Sequence, residues 1–301
     1  MTVSKDSIVT VAGAGLMGTG IAHAFAVSGF PTRLFDISDA QLEKAKSSIE
    51  HTLEGGVRLG KLERTEADAA LNNLSVISDI SVAAKDSDLF VETVSENLSI
   101  KHAVLQDATK YMKPGGIVGT NTSALSVTEI ATVLDDPSKV VGMHFFNPVH
   151  KMKLVEIVLG IATSEKTLSQ TKDYCEAIGK TSIVVNESPG LTTSRMSAMM
   201  GNEAMWMLQE GTASAEDIDT ALRMGFNHPM GPLELGDMTG WDTRLSVLKH
   251  LHSTLGEKFR PCPLIIKMVA AGRHGRKTGH GVYKYEDGKR VPGSGLKPSL
   301  I

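Results

Sequence analysis

The chain has 301 residues, of which 41% are hydrophobic, and this is enough material for two domains with separate cores. A formal net charge of -3 predicts no binding to nucleic acid and no attraction to an anionic membrane surface. Cys175 and Cys262 match no metal-binding or disulfide spacing and no apolar run is long enough to span a membrane, so we expect no metal site and a cytoplasmic location.

The chain opens with a predicted strand, a glycine loop and a helix. A β-branched run covers residues 7–12, the loop "GAGLMG" follows, and a helical pattern continues to Gly29. The first glycine permits a tight turn, the second lets the backbone approach a pyrophosphate, and the third lets the helix pack closely on the strand. We therefore expect a bound dinucleotide at Gly13, Ala14, Gly15, Leu16, Met17 and Gly18.

A second predicted strand, "TRLFDI", ends in Asp36. The acid lies about twenty residues beyond the glycines, where a carboxylate would bind the ribose hydroxyls of a dinucleotide. Its charge would repel a ribose phosphate, and Ile37 and Ser38 offer no cation to bind one. The sequence therefore predicts NAD rather than NADP as the cofactor.

Residues 38–73 are helical in period, with an interruption at "EGGVRLGK". This pattern predicts two helices that form a hairpin projecting from the sheet. Thr52, Arg58 and Lys61 cluster near the interruption and could bind a phosphorylated part of a ligand. The alternative is that they belong to a solvated helix face.

Further strands are predicted in "LSVISD", in "SDLFVETV" and in "GGIVGTN". Glu96 and Lys101 follow the second of these strands and Ser123 follows the third, at the edge where open parallel sheets bind ligands. The alternatives are a helix-capping acid, a surface lysine and a capping serine. Ser126 with Glu129 fits the capping-box pattern, which leaves Ser123 available for another role.

The stretch "VVGMHFFNPVHKMKLVEIV" contains the best candidates for catalysis. Two apolar runs joined by a polar turn predict neighbouring strands, with His144 on the first and Glu156 on the second. A carboxylate behind an imidazole fixes its tautomer and stabilises the imidazolium, as a general base requires. The alternative is a core histidine beside a glutamate at the mouth of a strand.

Strand and helix alternate through about 185 residues, which predicts an α/β fold with a doubly wound, mostly parallel sheet. The pattern changes at Pro189 and Gly190, so we predict a Rossmann-type domain over 1–187 and an all-helical domain over 188–301, with a loose tail "VPGSGLKPSLI". Apolar residues surround most of the first helix of the second domain, and this surplus predicts a homodimer. They are Met196, Met199, Met200, Met205, Trp206 and Met207.

Five motifs in order give the chain a family resemblance over nearly its whole length: "VAGAGLMGTGIA", "NTSAL", "HFFNPVHKMKLVEIV", "NHPMGPLELGDMTG" and "GRKTGHGVY". The chain resembles the L-3-hydroxyacyl-CoA dehydrogenases, most of all the stand-alone bacterial 3-hydroxybutyryl-CoA dehydrogenases. The resemblance implies an NAD-dependent oxidoreductase of fatty-acid or butyrate metabolism, with a Rossmann domain and a helical dimerisation domain. Its substrates would be (S)-3-hydroxyacyl-CoA and 3-oxoacyl-CoA of short chain.

The same resemblance implies roles for individual residues. His144 would be the catalytic base, Glu156 its partner, and Ser123 a ligand of the substrate oxygen. Coenzyme A would be held near Thr52, Arg58 and Lys61. The cofactor contacts would be the residues from Gly13 to Gly18, together with Asp36, Glu96, Lys101, Ser123, Asn147 and Lys277.

One position departs from the family pattern. Ser194 stands where many members have an asparagine that binds the substrate carbonyl, and a serine is shorter. A water molecule or Asn202, two helical turns further on, could complete the site. Two other functions stay open on the sequence alone: a dehydrogenase of a free hydroxy acid or sugar acid, and an NAD-binding protein without activity.

Overall fold

The computed structural model describes residues 3–297 and divides into two compact units, the first ending at Ser188 and the second beginning at Pro189. The domain boundary predicted from the sequence lies one residue earlier, at 187/188. None of the helices within 3–297 is both long and apolar enough to cross a membrane.

The first unit is built on one eight-stranded sheet. Its strands are β1 (Val9–Ala12), β2 (Thr32–Phe35), β3 (Leu74–Ile77), β4 (Leu89–Glu92), β5 (Ile117–Thr120), β6 (Val140–Phe145), β7 (Leu154–Leu159) and β8 (Thr181–Asn186). Their spatial order is β3-β2-β1-β4-β5-β6-β7-β8, and every neighbouring pair is parallel except β6 and β7. The strand order therefore reverses between β1 and β4, and open parallel sheets bind their ligands at such a topological switch point. The predicted doubly wound sheet is confirmed.

Seven helices connect these strands: α1 (Leu16–Val27), α2 (Asp39–Arg58), α3 (Arg64–Asn72), α4 (Ile80–Ala83), α5 (Leu98–Ala108), α6 (Val127–Ala131) and α7 (Glu165–Ala177). The core beneath them consists of strand residues such as Val11 and Leu34 packed against Ile21 and Phe25 of α1. Apolar residues can fill both faces of the central strands because helices cover both sides of a doubly wound sheet.

The predicted break in the helical hairpin is displaced in the structure. Helix α2 continues through Gly55 and Gly56 and ends at Arg58, two residues after the glycine pair. Leu42, Ala45, Ile49 and Leu53 form a buried stripe along α2, and this packing outweighs the low helix propensity of glycine.

The second unit contains α8 (Thr193–Gln209), α9 (Ala215–Gly225), α10 (Pro232–Thr239), α11 (Trp241–Leu255) and α12 (Pro263–Ala270). Ser214 caps α9 as predicted, since its hydroxyl accepts a hydrogen bond from the backbone nitrogen of Asp217. A short antiparallel hairpin of β9 (Tyr285–Glu286) and β10 (Lys289–Arg290) completes the otherwise helical domain.

The loose tail predicted from Val291 onward is wrong for residues 291–296. The backbone nitrogen of Val291 donates to the carbonyl oxygen of Lys284, and that of Leu296 donates to Val282. Gly295 donates to Oε1 of Glu216 on α9. These hydrogen bonds fasten the segment to the helical domain, and the last four residues of the predicted tail, 298–301, lie outside the described residues.

Candidate active site

The predicted imidazole and carboxylate meet across two antiparallel strands. In the register of β6 and β7, His144 is directly opposite Glu156, so both side chains lie on the same face of the sheet. Nδ1 of His144 lies 2.7 Å from Oε2 of Glu156. Glu156 is fully buried, whereas 8% of the surface of His144 is exposed. The predicted proximity is confirmed, and the catalytic role stays a prediction.

The surroundings of His144 orient its ring. With Nδ1 directed at the carboxylate, Nε2 is the nitrogen left for a ligand, and no hydrogen bond to Nε2 occurs within residues 3–297. The ring of Phe146 packs against the imidazole with centroids 4.8 Å apart. Oδ1 of Asn121 accepts a hydrogen bond from the backbone nitrogen of Phe145 and so fixes the end of β6. The arrangement can accept a proton at one defined atom.

The glycine loop has the geometry that a dinucleotide needs. Gly13 adopts a φ of 101°, and a Cβ at this position would lie 2.9 Å from the backbone of Thr93. A Cβ at Gly18 would collide with the carbonyl oxygen of Gly13, whereas a Cβ at Gly15 would meet nothing within 4 Å. The space beside Gly15 is open, and no side chain among the described residues caps the N-terminus of α1. Phosphate oxygens could therefore reach these amides.

Asp36 fastens the glycine loop to the end of β2. Its Oδ2 accepts a hydrogen bond from the backbone nitrogen of Ala14 at 2.8 Å, and Oδ1 accepts one from Ser38 at 3.0 Å. The carboxylate is partly exposed and lies at the carboxyl edge of the sheet, which fits the predicted contact with a ribose. Residues present in this chain therefore suit NAD.

A second group of charges lies at the end of β4, and two of its members, Glu92 and Lys101, are buried. Lys101 is 1% exposed, and its Nζ lies 2.9 and 3.0 Å from the two carboxylate oxygens of Glu92 and 3.2 Å from Oε2 of Glu96. The hydroxyl of Thr120 and the backbone nitrogen of Val94 also donate to Glu92. Burial raises the pKa of Glu92, and the contact with Lys101 opposes this shift. We name Glu92, Lys101 and Glu96 the β4 charge cluster.

Sequence reasoning missed Glu92. The only available signal was a glutamate at the end of an otherwise apolar strand, with a lysine nine residues later on the following helix. Lys101 was predicted to contact the cofactor, but its burial between two carboxylates favours an indirect role, and the direct contact stays a prediction.

Glu96 connects this cluster to the loop that contains Ser123. Its Oε1 accepts hydrogen bonds from the hydroxyl of Thr122 at 2.5 Å and from the backbone nitrogens of Ser123 and Ala124 at 3.0 and 3.1 Å. Burial raises the pKa of Glu96, but the hydrogen bond from Thr122 and the charge of Lys101 outweigh it and leave the pKa lowered. An ionised carboxylate therefore holds this loop.

The two serines near the start of α6 have different roles in the structure. Ser126 caps the helix as predicted, because its hydroxyl accepts a hydrogen bond from the backbone nitrogen of Glu129 at 2.9 Å. Ser123 is exposed, and its hydroxyl makes no hydrogen bond to the chain between residues 3 and 297. The hydroxyl of Ser123 is therefore available to a ligand.

A cleft of about 280 Å³ lies between the glycine loop, α1, α2 and the turn that follows β6. Gly15, Thr52 and Asn147 are among the residues that line it. Arg58 and Lys61 are exposed at the end of α2 and just beyond it, and neither lines the cleft. The structure thus brings only Thr52 of the predicted trio to this cleft.

Ser194 and Lys277 belong to the second unit. Ser194 lies in the first turn of α8, and Nζ of Lys277 lies 2.7 Å from Oδ2 of Asp242. Their predicted contacts with substrate and cofactor stay predictions. The suggestion that Asn202 completes the site is wrong, because Asn202 is buried and donates to the carbonyl oxygen of Arg260 while accepting from the backbone nitrogen of Cys262.

Comparisons with known proteins identify the family of this chain. Residues 8–188 match the family model of the 3-hydroxyacyl-CoA dehydrogenase NAD-binding domain, and residues 190–285 match that of the C-terminal domain. A probable 3-hydroxybutyryl-CoA dehydrogenase of Bacillus subtilis is 42% identical over 280 residues, which is 93% of this chain and 97% of the relative.

Solved structures give the same result. The crystal structure of (S)-3-hydroxybutyryl-CoA dehydrogenase PaaH1 from Ralstonia eutropha is 38% identical with a TM-score of 0.90, and the match covers 94% of this chain and 100% of that one. A 5-formyl-3-hydroxy-2-methylpyridine 4-carboxylic acid 5-dehydrogenase, an NAD-dependent dismutase, is 27% identical with a TM-score of 0.74, covering 94% of this chain and 92% of that one. The chain belongs to the 3-hydroxyacyl-CoA dehydrogenase family and is an NAD-dependent oxidoreductase.

Proposed function

We propose that this enzyme interconverts short-chain (S)-3-hydroxyacyl-CoA and 3-oxoacyl-CoA, with 3-hydroxybutyryl-CoA and acetoacetyl-CoA as the preferred pair. The observation that carries the proposal is the 2.7 Å contact between Nδ1 of His144 and Oε2 of Glu156. The names of the Bacillus and Ralstonia relatives support the choice of substrate.

In the direction of oxidation, Nε2 of His144 removes the proton of the 3-hydroxyl group. Glu156 stabilises the resulting imidazolium and holds Nδ1, so that the proton always enters and leaves at Nε2. In the direction of reduction, the imidazolium returns the proton to the oxygen. Such proton transfer contributes about 10²- to 10⁴-fold to the rate.

The hydroxyl of Ser123 hydrogen-bonds the substrate oxygen, whose charge changes along the reaction. Glu96 positions this serine through its backbone nitrogen, and Lys101 in turn positions Glu96. Removal of one such donor typically costs about 10²- to 10³-fold in rate.

The residues from Gly13 to Gly18 and the first turn of α1 would hold the pyrophosphate of NAD, and Asp36 would bind its ribose. NAD supplies the hydride acceptor when it is bound. Glu96, Asn147 and Lys277 are the further cofactor contacts that we propose, and Lys101 acts through Glu96. The carboxylate of Asp36 excludes the additional phosphate of NADP.

Two further proposals concern the state of the protein in the cell. We expect a cytoplasmic homodimer formed through the helical domain, because several large apolar side chains of this domain are exposed. Met196 is 66% exposed, Met224 is 72% and Phe226 is 73%. Light scattering at micromolar concentration should give twice the chain mass, and a monomer mass would contradict the dimer.

An assay of NADH consumption tests the proposed function. We expect rapid turnover with acetoacetyl-CoA, slower turnover with longer 3-oxoacyl-CoAs, and little activity with NADPH. Absence of NADH consumption with acetoacetyl-CoA would overturn the proposal, and equal rates with NADPH would overturn the role of Asp36.

A second candidate is a dehydrogenase whose substrate lacks coenzyme A. The pyridine carboxylic acid dehydrogenase among the structural relatives favours it, as does the absence of Arg58 and Lys61 from the lining of the cleft described above. Free coenzyme A should compete with acetoacetyl-CoA if the first proposal is correct, and should have no effect if the second is correct.

A further inference from the structure

The helical domain contains a buried arginine without a counterion. Arg244, near the start of α11, is only 6% exposed, and no carboxylate within residues 3–297 forms an ion pair with it. Burial lowers the pKa of Arg244 to about 10, and no neighbouring charge opposes this shift. A buried charge without a compensating partner is costly. The groups around this guanidinium therefore indicate where a ligand could supply the missing interaction.

Two hydroxyl groups accept hydrogen bonds from the guanidinium. Nη1 donates to Oγ of Ser197 on α8 at 2.8 Å, and Nη2 donates to Oγ1 of Thr239 on α10 at 3.3 Å. Nε makes no hydrogen bond within residues 3–297 and lies against α8, where a Cβ at Gly201 would be 3.7 Å away from it. Arg244 therefore connects three helices, and each of its described acceptors is a neutral oxygen.

The two hydroxyl groups differ in where their own protons go. Oγ1 of Thr239 donates to the carbonyl oxygens of Leu235 and Gly236, at 3.0 and 3.2 Å. The side chain of Ser197 makes one hydrogen bond, which it accepts from Arg244, and its hydroxyl proton has no acceptor between residues 3 and 297. Ser197 is half-buried. The hydrogen-bond chain that starts at Arg244 thus ends at a hydroxyl that can donate to a ligand.

The guanidinium makes the hydroxyl of Ser197 a strong donor. A hydroxyl that accepts a hydrogen bond from a cation is polarised and donates more strongly itself, and this effect is larger away from water. The pKa of Arg244 still lies well above neutral pH, so the arginine keeps its charge and the ligand receives a hydrogen bond rather than a proton. The matching ligand atom is an oxygen with partial negative charge, such as that of a carbonyl group.

Ser197 lies beside the position from which the family binds the substrate carbonyl. Ser194 occupies that position in this chain, and residues three apart on a helix are neighbours, with Cβ atoms about 5–6 Å apart. The serine at 194 is shorter than the asparagine of many family members. Asn202 cannot replace this asparagine, because it is hydrogen-bonded to the backbone of residues 260–262. A polarised hydroxyl one turn beyond Ser194 can supply the donor instead.

We propose that Ser197 donates a hydrogen bond to the thioester carbonyl of the substrate, and that Arg244 is a positioning residue that holds and polarises this hydroxyl. The inference rests on the proposed function, since it assigns a residue to the carbonyl of an acyl thioester. Ser194 and Ser197 together then take the place of one asparagine.

The experiment compares two ligands of the full-length enzyme. Acetoacetyl-CoA has the thioester carbonyl, whereas the thioether S-(3-oxobutyl)-CoA keeps the ketone and coenzyme A but has a methylene group in place of that carbonyl. In Ser197→Ala we expect kcat/KM for acetoacetyl-CoA to fall about tenfold through a higher KM. The inhibition constant of the thioether against acetoacetyl-CoA should stay unchanged. Ser246→Ala, which alters an exposed serine on α11, is the matched control and should change neither value.

Arg244→Met tests the positioning role. Because Arg244 acts through Ser197, we expect the same selective loss with acetoacetyl-CoA, and the double variant Ser197→Ala/Arg244→Met should lose no more than Ser197→Ala. Removal of a buried charge without a counterion should not lower the free energy of unfolding, measured in urea. An arginine with a purely structural role would instead lower stability and weaken both ligands equally.

Three outcomes would overturn the inference. An unchanged kcat/KM for acetoacetyl-CoA in Ser197→Ala, or an equal rise in the inhibition constant of the thioether, would show that this hydroxyl does not bind the thioester carbonyl. Losses that multiply in the double variant would mean that Arg244 does not act through Ser197. If the wild-type enzyme does not reduce acetoacetyl-CoA, the proposed function itself fails, and this result is distinguishable because it needs no variant.

Discussion

Two buried contacts between an acid and a base lie at the ligand-binding edge of the sheet, and they differ in one respect. In the pair on β6 and β7, Glu156 is hydrogen-bonded to Nδ1 of His144, and Nε2 stays available to a ligand. In the β4 charge cluster, the ammonium of Lys101 is surrounded by carboxylate oxygens and is 1% exposed. The first contact can exchange a proton with a ligand. The second can only hold its neighbours in place. A buried charged pair can therefore take part in proton transfer only where one of its polar atoms stays accessible to a ligand.

The largest expected effect follows from removal of the imidazole of His144, the member of the first contact that can exchange a proton. In His144→Ala, kcat should fall about 10²- to 10⁴-fold because the proton acceptor is lost. The dissociation constant of NADH, measured by its fluorescence, should stay unchanged, since the glycine loop and Asp36 are untouched. His51→Ala, an exposed histidine on α2, serves as the control and should keep full activity. Near-normal turnover of His144→Ala would contradict the mechanism.

Removal of one carboxylate from the β4 charge cluster should lower the free energy of unfolding. Glu92→Gln leaves the buried ammonium of Lys101 with Glu96 as its remaining carboxylate. Loss of one member of a buried pair typically lowers the free energy of unfolding by roughly 3–5 kcal/mol. Urea unfolding followed by circular dichroism measures this difference.

The matched control for Glu92 is a lysine–carboxylate pair at the surface of the same domain. Nζ of Lys113 lies 2.7 Å from Asp88, but the lysine side chain is 57% exposed. Lys113→Met should therefore change stability little. In the double variant Glu92→Gln/Lys101→Met no unpaired charge is buried, so part of the lost stability should return. Equal losses in Glu92→Gln and Lys113→Met would show that burial does not strengthen the inner contact.

The same comparison shows which parts of the site a sequence can predict. The glycine loop, Asp36 and the pairing of His144 with Glu156 depend on local patterns: a strand followed by a turn, or two apolar runs joined by a short loop. Such patterns fix backbone geometry within about twenty residues. The proximity of His144 and Glu156 was predictable because cross-strand register follows from the length of the connecting turn.

The remaining parts depend on partners that are distant in sequence. Asn202 has the helical spacing for a role beside Ser194, but it binds the backbone of residues 260–262, and no pattern in α8 indicates that loop. The segment after Val291 has the composition of a loose tail, yet Glu216 and Val282 hold it. The ionic partner of Glu92 lies on the next helix, where a lysine looks like a surface residue until its burial is known.

Ser123 and Ser126 test whether the loop held by the β4 charge cluster contacts the substrate. Ser123→Ala removes a hydroxyl without a partner in the described chain, so kcat/KM for acetoacetyl-CoA should fall about 10²-fold with no change in the free energy of unfolding. Ser126→Ala removes the cap of α6, so the free energy of unfolding should fall by about 1 kcal/mol with unchanged kcat/KM. Both variants lose one hydroxyl within four residues of each other, and each therefore serves as the control for the other. A loss of stability without a loss of activity in Ser123→Ala would mean that this hydroxyl supports the loop rather than the substrate. The β4 charge cluster would then end at a structural turn and have no connection to the chemistry at His144.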